Sequence, residues 1–226
     1  MKKQPLVSVL IVNWNGYDFT IRTIKSIQDS SYKSYEILVV DNDSKDGSLD
    51  KLSLVKGIKL IKSDKNLGFS GGNNLAFQYA KGDFIFVVGH DIIMGKDCIA
   101  KLVNVALSEQ NIGIISPVVY EMDDPEKIQQ IGAKIDPFGF SYPLIYTHTE
   151  EKVDEEKVMY LPGCSLFFPR KVIEKIGLFD EDFFTFSEDI DIGWRAQIAG
   201  FNLKIVKDAK LWHKGSAGMT EPEEQW

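Results

Sequence analysis

Short apolar runs alternate with helical stripes through the first half of the chain. Val7-Ser8-Val9-Leu10-Ile11-Val12 is a β-branched run of the kind that forms a buried parallel strand. Tyr17, Ile21, Ile24 and Ile27 then recur every three or four residues, which puts them on one helix face. Glu36 to Val40 reads as a second strand, Leu49 and Leu52 as a short helix, and Ile58 to Ile61 as a third strand. Asn74 to Ala80 reads as a helix and Phe84 to Val88 as a fourth strand. Ile99, Leu102, Val103 and Leu107 mark another helix, and Ile112 to Val119 another strand. This βαβα order predicts an α/β fold with a doubly wound, mostly parallel sheet and helices on both faces.

The second half has a different pattern. Gly132, Pro137, Gly139 and Pro143 interrupt residues 128–147, which read as irregular hairpin or loop structure. Glu150 to Lys157 is a charged run, read as a solvated loop. Strand character returns from Val158 to Phe168. Ile190, Trp194 and Ile198 share one helical face, with Trp194 read mainly as core and Gly200 as the residue ending that helix. Leu203 to Val206 reads as a last strand. With no repeat and no clean linker, residues 1–226 read as one domain. Its approximate halves are 1–120 and 121–226, the second being an added β and loop region built onto the first.

Composition narrows the function. The chain of 226 residues is 44% hydrophobic, enough for a sizeable core. A net charge of -7 leaves no excess of cations to replace phosphate counterions, so nucleic acid is excluded as a partner. Cys98 and Cys164 lie far apart, no CxxC pair occurs, and His90, His148 and His213 are scattered. Neither a structural zinc site nor a disulfide framework is expected, and two reduced thiols fit a cytoplasmic protein. No stretch approaches the ~20 apolar residues of a membrane span.

In an open α/β sheet, ligands bind beyond the carboxyl ends of the strands. The first strand is followed by Asn13-Trp14-Asn15-Gly16, the second by Asp41-Asn42-Asp43-Ser44. Asp64-Lys65-Asn66-Leu67-Gly68-Phe69 follows the third and Gly89-His90-Asp91 the fourth. Each tip alone is an ordinary turn sequence. Together, at one sheet edge, they make a site. The first tip lacks Gly-x-Gly-x-x-Gly, and no Walker loop occurs, which disfavours a dinucleotide or P-loop site. Phosphates would then be held by a metal, by backbone amides around Gly71-Gly72 at a helix N-terminus, and by Lys65.

The ordered set of motifs resembles the family 2 glycosyltransferases of the Rossmann-like GT-A fold, closest to their rhamnosyltransferase-like branch. It comprises Val-Ser-Val-Leu-Ile-Val-Asn-Trp-Asn, Leu-Val-Val-Asp-Asn-Asp-Ser-Lys-Asp-Gly-Ser and Asn-Leu-Gly-Phe-Ser-Gly-Gly-Asn-Asn in the first half. Leu-Pro-Gly-Cys-Ser-Leu-Phe-Phe-Pro-Arg, Gly-Leu-Phe-Asp-Glu-Asp-Phe-Phe, Ser-Glu-Asp-Ile-Asp-Ile-Gly-Trp-Arg and Trp-His-Lys-Gly-Ser follow. The resemblance implies inverting transfer from a UDP- or dTDP-sugar to an acceptor hydroxyl, in surface polysaccharide or glycan synthesis. Asp41 would bond the ring N-H of the base. Asn13, Asn15, Asp43 and His90 would line the nucleoside pocket, with Lys65, Asn66, Gly68 and Asn73 in the loop that closes on it. Gly163, Trp194 and Arg195 would lie on the donor and acceptor side. The acceptor would be a glycan or a lipid-linked glycan, which would bring the protein to the inner face of the membrane. Family members usually continue past the position of Trp226, so an acceptor-side or membrane-associating segment is expected beyond it.

The family's metal motif is Asp-x-Asp or Asn-x-Asp, holding Mg²⁺ or Mn²⁺ against the diphosphate. Here the triplet is Gly89-His90-Asp91, so Asp91 remains without its first partner, and His213 becomes the second metal-ligand candidate. Glu188-Asp189-Ile190-Asp191 supplies the carboxylates. Asp189 maps to the base that takes the acceptor proton, Asp191 is the runner-up, and Glu188 completes the motif. A helix ion pair is expected between Asp191 and Arg195. Two other readings stand beside this one. Gly89 favours a nucleotide-sugar-binding domain with impaired catalysis. A sugar-1-phosphate nucleotidyltransferase would need a Gly-rich, basic first tip, which is not present.

Overall fold

The computed structural model describes residues 4–136, 138, 140–144 and 158–215. Strands β1 (Val7–Asn13), β2 (Tyr35–Asp41), β3 (Lys59–Lys62) and β4 (Phe84–Val88) alternate with helices α1 (Tyr17–Gln28), α2 (Ser48–Ser53) and α3 (Gly68–Phe77). Then come β5 (Ile92–Met94), α4 (Cys98–Ser108) and β6 (Ile112–Glu121). Three short strands follow, β7 (Ile128–Gln130), β8 (Ala133–Ile135) and β9 (Ser141–Pro143). The chain continues through β10 (Ser165–Pro169), α5 (Arg170–Ile176), α6 (Glu188–Ile198) and β11 (Asn202–His213).

The main sheet of the described residues has nine strands, in the order β3-β2-β1-β4-β10-β6-β11-β5 with β7 beside β6. The first four run parallel, as do β6 and β11. β10 enters antiparallel between β4 and β6. Side chains alternate across the sheet with a period of two. Val9 and Ile11 of β1 pack with Ile24, Ile27 and Leu102 on one face, while Leu10 packs with Ala76, Ile173 and Ile192 on the other. α1, α2 and α4 therefore cover one face, and α3, α5 and α6 the other.

Four sequence readings need correction or limits. The helix expected at Asn74–Ala80 runs instead from Gly68 to Phe77. Its glycines read as loop, but they serve close packing: a Cβ on Gly72 would sit 2.8 Å from the Val12 methyls. Strand character from Val158 to Phe168 condenses into β10, with only an isolated bridge from Tyr160 to Ala133 before it. The Ile190-Trp194-Ile198 stripe faces outward, with Trp194 45% and Ile198 85% exposed. α6 packs through Ile192, Gly193 and Ala196 instead, because a Cβ on Gly193 would lie only 2.8 Å from the Met159 carbonyl. Trp194 is therefore not core. The run Glu150–Lys157 lies outside the described residues.

Candidate active site

The carboxyl ends of β1 and β2 meet in register, with Asn13 opposite Asp41. Both side chains are buried. Asn13 Nδ2 donates to Asp41 Oδ2 at 3.0 Å and to Ser44 Oγ at 3.0 Å, while its Oδ1 accepts from Thr20 Oγ1 at 2.7 Å. Asp41 Oδ1 accepts from the Ser44 N–H at 3.1 Å. Asn15 and Asp43 sit in left-handed backbone, φ 50° and 66°, which short polar side chains tolerate. The Asn15 N–H donates to Ser44 Oγ, its Oδ1 accepts from the Lys45 N–H, and Asp43 pairs with Lys45 at 2.6 Å. Ser44 is thus the hub of the pocket floor. It lies within a turn sequence, where a serine by itself carries no signal of this role.

Asn42 is a second hub that sequence reading missed. Its Nδ2 donates to Asn66 Oδ1 at 2.8 Å and to the Gly68 carbonyl at 3.0 Å, and its Oδ1 accepts from the Leu67 N–H at 3.0 Å. Asn66 Oδ1 also accepts from the Gly68 N–H. Gly68, at φ 68°, turns the chain into α3, and the Phe184 carbonyl lies 2.1 Å from where its Cβ would be. That carbonyl accepts from the Phe69 N–H at 2.8 Å. The start of α3 is therefore occupied by the loop before α6. Gly71 and Gly72 lie inside the helix, so the expected phosphate cradle there is not formed. Lys65 is exposed. Asn73 Nδ2 donates to the Phe69 carbonyl, and its buried Oδ1 has no partner among the described residues.

Beyond β4, Asp91 is buried and its Oδ1 lies 3.3 Å from His213 Nε2. Gln129 Oε1 holds His213 Nδ1 at 2.7 Å from the other side. Burial alone disfavours the charged His213 ring. The Cys164 sulfur and the Asp91 carboxylate outweigh it and raise the imidazole to about 11. The Gly89 N–H donates to the Cys164 carbonyl at 3.0 Å, joining β4 to the start of β10. His90 is lowered by burial, against the pull of Asp91, and its Nε2 has no partner among the described residues. Its ring lies against Gly16, where a Cβ would come within 2.8 Å.

Glu188 and Asp189 open α6, after Phe186 and Ser187, two non-glycine residues in left-handed backbone at φ 72° and 69°. Asp189 Oδ2 accepts from the Gly163 N–H at 3.1 Å and Oδ1 from the Ile190 N–H at 2.9 Å. Burial raises Asp189 despite these bonds. Burial and the neighbouring Asp189 raise Glu188 to about 7. Both carboxyls crowd Gly163, whose Cβ would sit 2.9 Å from Glu188 Oε1 and 3.5 Å from Asp189 Oδ2.

Asp191 turns away from this pair. It takes Arg195 Nε at 2.8 Å and Nη2 at 2.5 Å, the expected i,i+4 ion pair. Arg195 also donates to the carbonyls of Ile176, the last residue of α5, and of Leu178 beyond it. Its guanidinium ties α6 to the segment that follows α5. Trp194 lies on the outer side of the same helix.

The two centres are linked through Gly163 and Cys164, just ahead of β10. Asp189 holds Gly163, and the next residue, Cys164, borders Gly89, Asp91 and His213. The described residues thus hold three polar clusters: the β1–β2 floor, the Asp91–His213 pair, and Glu188 with Asp189, the first of these carboxyls buried and the second half-buried.

The family model for glycosyl transferase family 2 matches residues 8–177. An uncharacterized glycosyltransferase of Rickettsia typhi is 26% identical over 201 residues, covering 84% of this chain and 58% of that protein. The chain thus spans little more than half the length of that relative. The N-acetylglucosaminyl-diphospho-decaprenol L-rhamnosyltransferase of Mycobacterium tuberculosis is 23% identical over 232 residues, covering 92% of this chain and 76% of that protein. Among solved structures, GalNAc-T7 with UDP, GalNAc and Mn²⁺ superposes with a TM-score of 0.77 at 20% identity, covering 94% of this chain and 44% of that one.

Proposed function

This chain belongs to glycosyl transferase family 2 and has the GT-A fold, and on that premise we propose that it transfers a sugar, with inversion, from a nucleotide-diphosphate sugar to an acceptor hydroxyl. The observation that carries this reading is the Glu188–Asp189 pair set over Gly163, one residue from the wall of the Asp91–His213 centre. A screen of UDP-, dTDP- and GDP-sugars by thermal shift tests it, because a ligand that binds only the folded state raises its stability. A flat response to every nucleotide sugar, with and without Mn²⁺, overturns it.

Asp41 is the base-recognition residue in this reading, and uracil or thymine suits it because the ring N–H donates to a carboxylate. Asn13 and Ser44 hold that carboxylate in place. Asp41→Ala is expected to weaken UDP or dTDP binding by at least ~1 kcal/mol, the scale of a hydrogen bond to a charged group. Calorimetry that finds equal affinity for the two proteins removes Asp41 from the base pocket.

Asp91 and His213 fit a divalent cation in donor type and spacing, but no group of three His, Cys, Asp or Glu suited to a metal occurs among the described residues. The remaining positions would fall to the nucleotide's own oxygens. Bound there, Mg²⁺ or Mn²⁺ neutralises diphosphate charge and makes the nucleoside diphosphate a better leaving group. Mn²⁺ alone is therefore expected to bind weakly and Mn²⁺ with UDP at least tenfold more tightly, measured by electron paramagnetic resonance of free Mn²⁺. Equal affinity in both conditions contradicts the two-ligand site. Gly89→Asp is a less simple repair than the motif suggests, since its Cβ would already be 3.0 Å from Asp91 Oδ1.

In the reaction, Asp189 takes the acceptor hydroxyl proton as the oxygen bonds to the anomeric carbon and the nucleoside diphosphate leaves from the opposite side. The configuration inverts and no covalent enzyme intermediate forms. The acceptor is read as a glycan; the mycobacterial relative is named for an acceptor sugar carried on diphospho-decaprenol. That would place the work at the inner face of the membrane, although no helix among the described residues is long and apolar enough to cross it. Gly89 supports a second reading, a domain that binds nucleotide sugar with impaired transfer, and binding without turnover would establish it.

A further inference from the structure

The residue before the base has no part in the reaction just described, yet its environment is unusual. Glu188 is 7% exposed, and its Oε2 has no hydrogen-bond partner among the described residues. Isolated buried carboxyls are costly, and helix N-termini usually keep theirs in water. Two further observations surround it. The turn that delivers it, Phe186–Ser187, is left-handed at both residues, a conformation costing roughly 1–2 kcal/mol per residue. The N–H groups of Glu188 and Phe186 face its carboxyl from within that turn. On its other side Glu188 Oε1 fills the space that a Cβ on Gly163, the residue whose N–H holds Asp189, would need.

We propose that Glu188 is a positioning residue for Asp189: its carboxyl braces the Phe186–Ser187 turn from inside and wedges Gly163, so that α6 begins where Asp189 meets the Gly163 N–H. The inference rests on the reading of Asp189 as base and adds a role for its neighbour. Without the wedge the turn relaxes toward ordinary backbone, and the first residue of the helix that keeps its place is no longer Asp189. The shape of the side chain does this: Glu188 ionises only near 7, so it is still neutral while Asp189, raised by burial, titrates. Tyr160, raised by burial and by Asp189, is the other ionisable side chain facing this pair, and it stays neutral across the range where carboxyls titrate.

The sequence provides a direct reporter. Pro162-Gly163 is the one Pro-Gly step in the chain, so labelling proline carbonyl carbon and glycine nitrogen isolates the Gly163 amide in a carbonyl-filtered NMR spectrum. In the unaltered protein that amide is expected to titrate with Asp189, at a pH above the ordinary aspartate range. Glu188→Gln, which keeps the shape, should leave both the resonance and its titration in place. Glu188→Ala, which removes the wedge, should displace the resonance and abolish its titration, and should cost transfer at least tenfold more than Glu188→Gln does. A Gly163 amide with the same position and midpoint in all three proteins overturns the proposal. Normal transfer by Asp189→Asn would overturn the base assignment instead, and the amide spectra would still decide the bracing role.

Discussion

Asp189→Asn protein is expected to bind its nucleotide sugar as tightly as the unaltered chain and to lose transfer by ~10²–10⁴-fold, the range attributed to a positioned general base. The substitution is nearly isosteric. Its amide oxygen can still accept from the Gly163 or Ile190 N–H, which hold the carboxylate at 3.1 and 2.9 Å, so geometry survives while proton affinity is lost. What remains should come from holding acceptor hydroxyl, anomeric carbon and leaving phosphate in line, which supplies much of the rate on its own. The control is Asp191→Asn, two residues on. Asp191 is bound by Arg195, which in turn holds the carbonyls of Ile176 and Leu178, so its loss should lower the melting temperature more than the turnover number. NMR of the product should show the anomeric configuration reversed from the donor. Retained configuration, or an Asp189→Asn protein of normal turnover, moves the base elsewhere.

The second large effect is on stability. Glu188 ionises near 7 in the fold against about 4.5 in the unfolded chain, because burial and then Asp189 oppose its charge. The folded carboxyl therefore keeps its proton where the unfolded one has released it. Between these values stability falls as pH rises, and above about 7 the whole penalty is present. At ~1.4 kcal/mol per pKa unit, the penalty is about 3 kcal/mol. Glu188→Gln cannot ionise, so its advantage should be near zero at pH 4.5 and should grow to about 3 kcal/mol at pH 8. Asp189, raised in the same direction, contributes the same slope to both proteins. Urea midpoints across that range measure the difference directly. Parallel curves for the two proteins would mean that Glu188 is solvated and carries no such penalty.

Much of the fold was legible because strands β1, β2, β4 and β6 are continuous apolar runs, which only a doubly covered sheet would bury. Helices α1 and α4 were legible from their stripes. α3 was not, since a glycine-rich helix reads as loop until Val12 is seen pressing on Gly72. α6 was found, but its packed face was not. Period alone prefers Ile190, Trp194 and Ile198, whereas close approach to Met159 and Tyr160 selects Gly193 and Ala196. The site shows the same division. Asn13, Asp41, Asp91 and the acidic pair could be named from strand-end position and motif. Ser44 and Asn42 could not, because their importance lies in what they bond across the pocket rather than in their own type. Arg195 shows the same: its motif position gives no hint that its guanidinium bonds the carbonyls of Ile176 and Leu178.

The position of β10 sets the order in which this protein can be made. β4 is completed at Val88, yet its outer partner does not exist until Ser165–Pro169 has been synthesised. At ~5–20 residues per second, the apolar edge Phe84–Val88 waits several seconds on the ribosome without its neighbour. Such an edge is a template for pairing with another chain. The first half of the chain therefore cannot be expected to ripen as an independent unit during translation. Gly163 arrives with β10, but its partner Asp189 follows only with α6 and His213 only with β11, so the acidic pair and the Asp91–His213 pair are the last features to assemble.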